Sequence, residues 1–311
     1  MTDDGGPAIA YAPPRPRRAG EDRESKLGEV RRAIYLLYKR LSPAVVEAYR
    51  ASIPPGDILV AAGEDPVSGT QRVARNLVAH LRLPRTHIAV AFRPMPAGRA
   101  GMVTLGAGPE YRVEVDTRFA ARRSDIGAVL AHEVMHVFLE RHDLRSEDEI
   151  LTDTATAYLG TGWPLLNAHR SYRSYSYAYT ERLGYLSSEE LGYVIGKRAI
   201  RFADDPTPWL RTPEARTAFA AGHARAAGDW RRPPLSAADT RERRRYEGER
   251  RRARRGVGRG QSRDHDYFFT GRAPLNVTFS CPACAVRITA PVAGILRFRC
   301  EVCRTDLDCD T

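Results

Sequence analysis

Hydrophobic and polar positions follow a helical period over much of the first 230 residues. Between residues 25 and 50, apolar side chains recur at steps of three and four, which predicts an amphipathic helix with a break near Pro43. The same period predicts helices over residues 69–83, 187–203 and 212–227.

Three segments in the middle of the chain have the pattern of short strands instead. They are Thr86–Arg93, Met102–Leu105 and Tyr111–Asp116, and Pro/Gly-rich turns separate them. An apolar stripe from Ile126 to Phe138 then predicts a core helix. Together these elements predict an α+β fold with a small mixed sheet.

The sequence also indicates where the core helix and the helix after it begin. Ser124 or Asp125 can accept a hydrogen bond from the first free backbone N–H groups and so cap its beginning. A further helix is predicted to begin near Ser146, with Glu147 and Asp148 favourably placed in its first turn.

The core helix carries His132, Glu133, Val134, Met135 and His136, an H-E-x-x-H motif. Residues four apart lie on one face of a helix, so the two histidines can direct ring nitrogens to one zinc ion. Glu133 lies beside that ion, can take a proton from a zinc-bound water, and can later deliver it to a leaving amine. The apolar flanks place these polar groups in the core, where polar groups without partners would be costly. The motif predicts a zinc-hydrolase site.

His142 has the third-ligand spacing of the metzincin motif, but two features exclude that interpretation. The glycine position of the motif holds Leu139, a branched residue that disfavours the left-handed backbone of the required turn. A methionine turn is also required downstream, and all four methionines precede His142. His142 is therefore predicted to be an ordinary residue near the helix C-terminus.

Glu149 and Asp153 stand four apart on the next predicted helix, again on one face. With the H-E-x-x-H motif, this E-x-x-x-D pair resembles the gluzincin class of metallopeptidases over residues 111–163. The resemblance implies that Glu149 is the third zinc ligand and that Asp153 orients a ligating histidine, most simply His132. The gap from His136 to Glu149 is short for the class, so Asp153 as the ligand is the alternative.

Two further parts of such a site are open. If the strand Tyr111–Asp116 forms a sheet edge above the cleft, an extended peptide substrate could pair with it. A hydrogen-bond donor to the oxyanion of the tetrahedral intermediate could come from a segment rich in Tyr, His and Arg. The candidates are Tyr172, Tyr175, Tyr177, Tyr179, Tyr185, His169, Arg170 and Arg173.

All five cysteines lie in the last 31 residues. Cys281 and Cys284 form one C-x-x-C pair, Cys300 and Cys303 form another, and Cys309 lies outside the pattern. Four thiolates at this spacing can enclose one structural zinc ion, and the arrangement resembles a zinc ribbon. Its strands are predicted over Val286–Pro291 and Ile295–Arg299.

The net charge is +11, and arginine carries almost all of the positive charge, since lysine occurs at three positions only. Residues 241–263 hold 11 Arg and 3 Glu, a surplus of +8. A nucleic-acid or protein partner would therefore meet this segment and the zinc ribbon, whose Arg287, Arg297 and Arg299 add to the basic surface.

The chain divides into four predicted segments. Residues 1–25 are a disordered tail, 26–228 a zincin-like domain, 229–267 an Arg-rich flexible linker that can include a short helix around 237–255, and 268–311 the zinc ribbon. Neither a signal peptide nor a membrane-spanning stretch is recognisable, which predicts a cytoplasmic location without a membrane partner.

The expected function is that of a metallopeptidase with one catalytic and one structural zinc ion, acting on a protein or peptide. One alternative is an inactive zincin that binds nucleic acid or protein through the basic linker and the ribbon. Another is a protease of DNA-bound proteins, because SprT-like enzymes also combine H-E-x-x-H with a C-terminal zinc domain. Their usual third histidine is not obvious in this sequence.

Overall fold

Helices surround several small sheets, so the predicted mixed α+β class is confirmed. The computed structural model describes residues 8–11, 26–106, 108–173, 178–235, 238–256, 261–262, 267–271 and 273–311. The helices are α1 (Leu27–Glu47), α2 (Pro55–Ile58), α3 (Pro66–His80), α4 (Arg123–Arg141), α5 (Glu149–Tyr158), α6 (Trp163–Asn167), α7 (Ser188–Phe202), α8 (Pro213–Trp230) and α9 (Thr240–Arg254). The strands are β1 (Ala8–Tyr11), β2 (His87–Arg93), β3 (Gly101–Thr104), β4 (Glu110–Asp116), β5 (Arg170–Arg173), β6 (Ala178–Glu181), β7 (Gln261–Ser262), β8 (Tyr267–Thr270), β9 (Asn276–Ser280), β10 (Arg287–Pro291), β11 (Ile295–Arg299) and β12 (Asp306–Asp310).

The sheet of the N-terminal part has the strand order β1-β3-β4-β2. β2 pairs with β4 in parallel, whereas β3 pairs antiparallel with both β4 and β1. β4 therefore has a hydrogen-bonded neighbour on each side. The expectation that Tyr111–Asp116 is a free edge for substrate is wrong, because β2 and β3 occupy both of its edges.

Helix α4 is the centre of the core, since every residue from 126 to 139 is buried. It packs against α3, α5 and the strands β3 and β4. Its sequence explains this position, because the motif's two histidines and one glutamate are the only polar side chains in a run of otherwise apolar residues.

The beginnings of α4 and α5 differ in part from the expected ones. Neither Ser124 nor Asp125 caps α4, which begins at Arg123 and has no side-chain cap. The Asp125 carboxylate is buried and instead accepts hydrogen bonds from Arg122 and from both terminal nitrogens of Arg170. These charge-assisted bonds hold the β5–β6 hairpin to the start of α4. Helix α5 begins at Glu149, and Asp148 caps it.

Several other expectations are confirmed. Helix α1 has a break at Ser42, which has a φ of +63°, immediately before Pro43. Strands β10 and β11 lie where the sequence predicts strands of the ribbon. The linker helix is present as α9, and it begins with a capping box formed by Asp239 and Glu242.

The N-terminal tail differs from expectation at four residues. Residues 8–11 form β1, so the prediction of disorder is wrong there, because this short apolar run pairs with β3. The rest of the predicted tail, residues 1–7 and 12–25, lies outside the described residues. No helix in the described ranges is long and apolar enough to cross a membrane.

Candidate metal centres

Three side chains converge where α4 meets the beginning of α5. The Nε2 atoms of His132 and His136 are 3.1 Å apart, and Glu149 Oε2 lies 3.1 Å from the first and 3.6 Å from the second. A tetrahedral ion with bonds of about 2.0–2.1 Å separates its ligand atoms by about 3.3–3.4 Å. The three atoms therefore have the spacing of three ligands of one metal ion, and the group could hold one.

The other ring nitrogen of each histidine has a fixed partner. His132 Nδ1 lies 2.8 Å from Asp153 Oδ1, and His136 Nδ1 lies 2.5 Å from the carbonyl oxygen of Ser146. Both acceptors select the tautomer that carries its proton on Nδ1, so that the lone pair on Nε2 can bind a metal ion. This is the role that the resemblance assigned to Asp153, and Asp153 is outside the group of three converging ligands.

Asp153 is itself held by backbone groups that sequence reasoning missed. Its Oδ2 accepts hydrogen bonds from the N–H groups of Tyr185 (2.5 Å) and Leu186 (2.9 Å). Burial alone would raise the pKa of Asp153, but the hydrogen bond with His132 and these N–H groups hold it below its ordinary value. Asp153 therefore stays ionised in the core.

Gly184 allows the Tyr185–Leu186 backbone to approach Asp153. Its φ is +100°, and a Cβ at this position would lie 2.8 Å from Asp153 Oδ2. A side chain is excluded both by the left-handed backbone and by this distance. Gly184 lies 31 residues beyond Asp153, and no spacing in the sequence connects the two.

Glu133 is completely buried, and neither carboxylate oxygen has a side-chain hydrogen-bond partner among the described residues. Burial raises the pKa of Glu133 to about 8, although the neighbouring His132 and the backbone N–H of Val103 oppose this shift. β3 covers the carboxylate: a Cβ on Gly101 would lie only 2.7 Å from Glu133 Oε1. A buried carboxyl without a side-chain partner is suited to exchange a proton with a bound molecule.

The second group consists of the four cysteines of the two C-x-x-C pairs. Cys281 Sγ and Cys303 Sγ are 3.7 Å apart, as are Cys284 Sγ and Cys300 Sγ, and all four residues are buried. Ligand atoms of a tetrahedral Zn–S₄ site with bonds of about 2.3 Å are about 3.8 Å apart. This group could hold a second ion with no open position, which is the arrangement of a structural site. Cys309 is buried outside the group.

The remaining predicted residues lie in different surroundings. His142 is the C-cap of α4 and its ring lies 4.4 Å from that of Phe138, which agrees with an ordinary role. Tyr185 stacks on His132, with ring centroids 6.2 Å apart and planes inclined by 23°. Arg170 belongs to the Asp125 cluster. The side chains of Tyr172, Arg173, Tyr175, Tyr177 and Tyr179 lie outside the described residues.

Comparison with known proteins found no matching family model, no matching curated protein and no matching solved structure. The gluzincin and zinc-ribbon resemblances therefore stay predictions. The evidence on function is the group formed by His132, His136 and Glu149 and the group of four cysteines.

Proposed function

We propose that the chain is a zinc metallopeptidase that hydrolyses peptide bonds with Glu133 as the group that moves protons. The observation that carries this proposal is the position of Glu133. It follows the first of two histidines that converge with Glu149, and its buried carboxylate has no hydrogen-bond partner among the described side chains. A glutamate that served only the fold would be expected to have such a partner.

Zinc bound by His132, His136 and Glu149 would supply the Lewis acidity that activates water and polarises a peptide carbonyl. Glu133 takes the proton that water loses on attack and gives it to the leaving amine. Burial raises the pKa of Glu133, which strengthens the carboxylate as a base toward water and so supports the first step.

The surroundings of the ligands support the same chemistry. Asp153 and the Ser146 carbonyl orient the two imidazoles, so their Nε2 atoms need not reorient on binding a metal ion. Tyr185, which stacks on His132, is the candidate donor to the oxyanion. The closed cysteine site contributes to the fold and not to the reaction.

The test compares the full chain with its Glu133→Gln variant, which keeps the shape of the side chain but cannot accept a proton. We expect about two zinc ions per chain in both proteins by mass spectrometric metal analysis. We expect cleavage of a fluorogenic peptide library to fall about 100-fold or more in the variant. Glu140→Gln, also on α4 but outside the converging group, should retain activity.

Other outcomes lead to different conclusions. Equal cleavage by the wild type and Glu133→Gln would contradict the mechanism. Two zinc ions with no cleavage of any library peptide by the wild type would favour a zincin that serves only in binding. Loss of one zinc ion in Glu149→Ala, but not in Asp153→Ala, would identify the third ligand.

A further inference from the structure

Helix α9 is fixed to the C-terminal sheet along one face. The ring of Tyr246 packs 5.0 Å from that of Tyr267 and 5.2 Å from that of Phe269, measured between centroids. The Tyr267 hydroxyl donates a 2.5 Å hydrogen bond to Glu249, and Ala253 is buried on the same face. A segment that the sequence assigns to a flexible linker therefore presents a helix of fixed orientation.

The opposite face of α9 consists of arginine side chains around a glycine. Arg241, Arg244, Arg251 and Arg252 are all exposed, and their spacing places them on the side away from Tyr246. We call these four residues the arginine face. Gly248 lies at its centre, where an added Cβ would have nothing within 4 Å. At 1.5 Å per residue, the arginine face extends over about 17 Å.

The acidic residues of the helix do not neutralise this face. Glu242 forms the capping box, Glu247 pairs with Arg250 at 2.6 Å, and Glu249 accepts from Tyr267. No ion pair of the four arginines occurs with any residue that the structure describes. Among the described residues, the four positive charges therefore lie on one face without an ion-pair partner, so solvent or a polyanion can balance them.

The ribbon arginines are in a different situation. Arg297 lies 3.8 Å from Asp308, and Arg299 lies 3.8 Å from Asp306, across the pair of strands β11 and β12. Acidic neighbours therefore reduce the positive potential of that surface. Within the described residues, α9 is therefore the stronger cationic surface of the C-terminal part, whereas the sequence assigned the basic surface to residues 241–263 and the ribbon together.

We propose that the arginine face binds the phosphate backbone of duplex DNA without sequence specificity. The guanidinium group matches phosphate in geometry and keeps its charge at all relevant pH values. Adjacent phosphates on one strand are separated by about 7 Å, so a face about 17 Å long can contact two or three of them on each strand that borders a groove. Binding to DNA is independent of the proposed peptidase activity.

Two features favour a duplex over other polyanions. The arginine face has no aromatic side chain on which unpaired bases could stack, and stacking is the usual basis of single-strand binding. It has no apolar anchor either, whereas protein interfaces generally depend on buried aromatic or aliphatic residues. The face carries no Asn or Gln to read adenine, so binding should depend on charge and not on sequence.

The experiment measures binding of the full chain to a fluorescent 25-base-pair duplex of mixed sequence at 50–200 mM salt, by anisotropy. Four phosphate contacts predict a slope of log affinity against log salt near −3.6, and hence a loss on the order of 100-fold over this range. Arg244→Gln with Arg251→Gln should reduce the slope by about two units, since each contact contributes about 0.9. Arg297→Gln with Arg299→Gln on the ribbon is the matched control and should change it much less.

Gly248 allows a gain-of-charge test at the centre of the arginine face. Gly248→Arg should steepen the slope by about 0.9, because it adds one contact where the structure leaves open space. Gly248→Gln gives the same gain in helix propensity without the charge and should leave the slope unchanged. Thermal unfolding of each variant verifies that α9 is still folded.

An unchanged slope in both the Arg244→Gln/Arg251→Gln and the Gly248→Arg variants would overturn the proposal. Tighter binding to single-stranded DNA of the same length would overturn the assignment to a duplex. Tighter binding to a polyglutamate of equal charge would indicate an acidic protein partner instead. All measurements can use the Glu133→Gln variant, so they remain informative if the chain has no peptidase activity.

Discussion

Tyr185 is the aromatic residue that stacks on a predicted metal ligand, since its ring lies almost parallel to that of His132. If its hydroxyl donates to the oxyanion, Tyr185→Phe should lower kcat about 100-fold, with little change in KM or zinc content. Tyr35→Phe, on the partly exposed side of α1, serves as the control. An unchanged kcat would show that Tyr185 contributes packing only.

His169 should make the stability of the fold sensitive to acid. Burial lowers the pKa of His169 to about 4 from an ordinary value of 6.5, and the nearby Arg182 adds to this effect. Above pH 6.5 the residue is neutral in both folded and unfolded chains and has no effect. As the pH falls from 6.5 to 4, His169 becomes protonated in the unfolded chain but stays neutral in the folded chain. The free energy of unfolding therefore falls by about 3 kcal/mol.

The prediction for His169 is checked by urea unfolding at several pH values. His169→Gln cannot be protonated, so its unfolding free energy should fall by about 3 kcal/mol less than that of the wild type between pH 6.5 and 4. Loss of metal in acid affects both proteins and cancels in the difference. His87→Gln, at an exposed position, should follow the wild type. Parallel curves for wild type and His169→Gln would show that His169 does not resist protonation.

At the scale of elements, β1 occupies the edge of the sheet nearest to Glu133. In the strand pairing of β1 with β3, Ile9 lies opposite Val103 and Tyr11 lies opposite Gly101. Gly101 in turn lies against the side chain of Glu133. Without β1, β3 would be an edge strand, and an extended substrate of the proposed peptidase could pair with it. The N-terminal segment should therefore compete with substrate.

Two proline substitutions in β1 test this competition. Neighbouring residues of a strand direct their N–H groups to opposite sides. The double variant Ile9→Pro/Ala10→Pro therefore removes one N–H that donates to β3, whichever of the two residues faces that strand. We expect kcat/KM to rise, by about tenfold for each 1.4 kcal/mol of pairing lost. Ala8→Val with Ala10→Val retains the backbone donors and should leave activity unchanged or lower. Reduced activity in the proline variant would mean that β1 supports the site.

At the scale of the whole molecule, the cysteine-bearing segment packs on the helical part. Lys197 on α7 is 3% exposed and donates a 2.5 Å hydrogen bond to the carbonyl of Pro282, between the first two cysteines. Arg201, one turn further along α7, donates to the carbonyl of Cys303 at 3.2 Å. The turns that carry the four cysteines therefore form part of one continuous core with the helices.

This packing predicts that Lys197→Met affects both the core and the cysteine site. A hydrogen bond to a charged group contributes about 1.5–3 kcal/mol, and a domain of this size loses about 2–4 °C in Tm for each kcal/mol. We therefore expect a lower Tm and faster removal of the cysteine-bound zinc by a chelator. Lys39→Met, at an exposed position of α1, is the control. Equal behaviour of the two variants would indicate an independently folded tail.

Local patterns in the sequence determined seven of the nine described helices, five of the twelve described strands and the chemistry of the candidate ligands. The periods of three to four and of two residues located α1, α3, α4, β2 and β4, because burial of one face imposes the same spacing in any fold. The pairs His132/His136 and Glu149/Asp153 were predictable because helical geometry alone places residues four apart on one face. The cysteine spacing was equally local.

Only the tertiary structure decided how these local pieces meet. The backbone donors to Asp153, the contact of Gly101 with Glu133 and the pairing of β1 with β3 all join segments that are distant in sequence. The same is true of Lys197 and Pro282, and of the strand order that makes β4 an inner strand. Backbone N–H groups and strand partners leave no residue pattern in the sequence, since almost any sequence can supply them. A single glycine is visible in the sequence, but it does not show which distant residue approaches it. The sequence alone therefore determined which side chains could bind metal, and the tertiary structure decided what surrounds them.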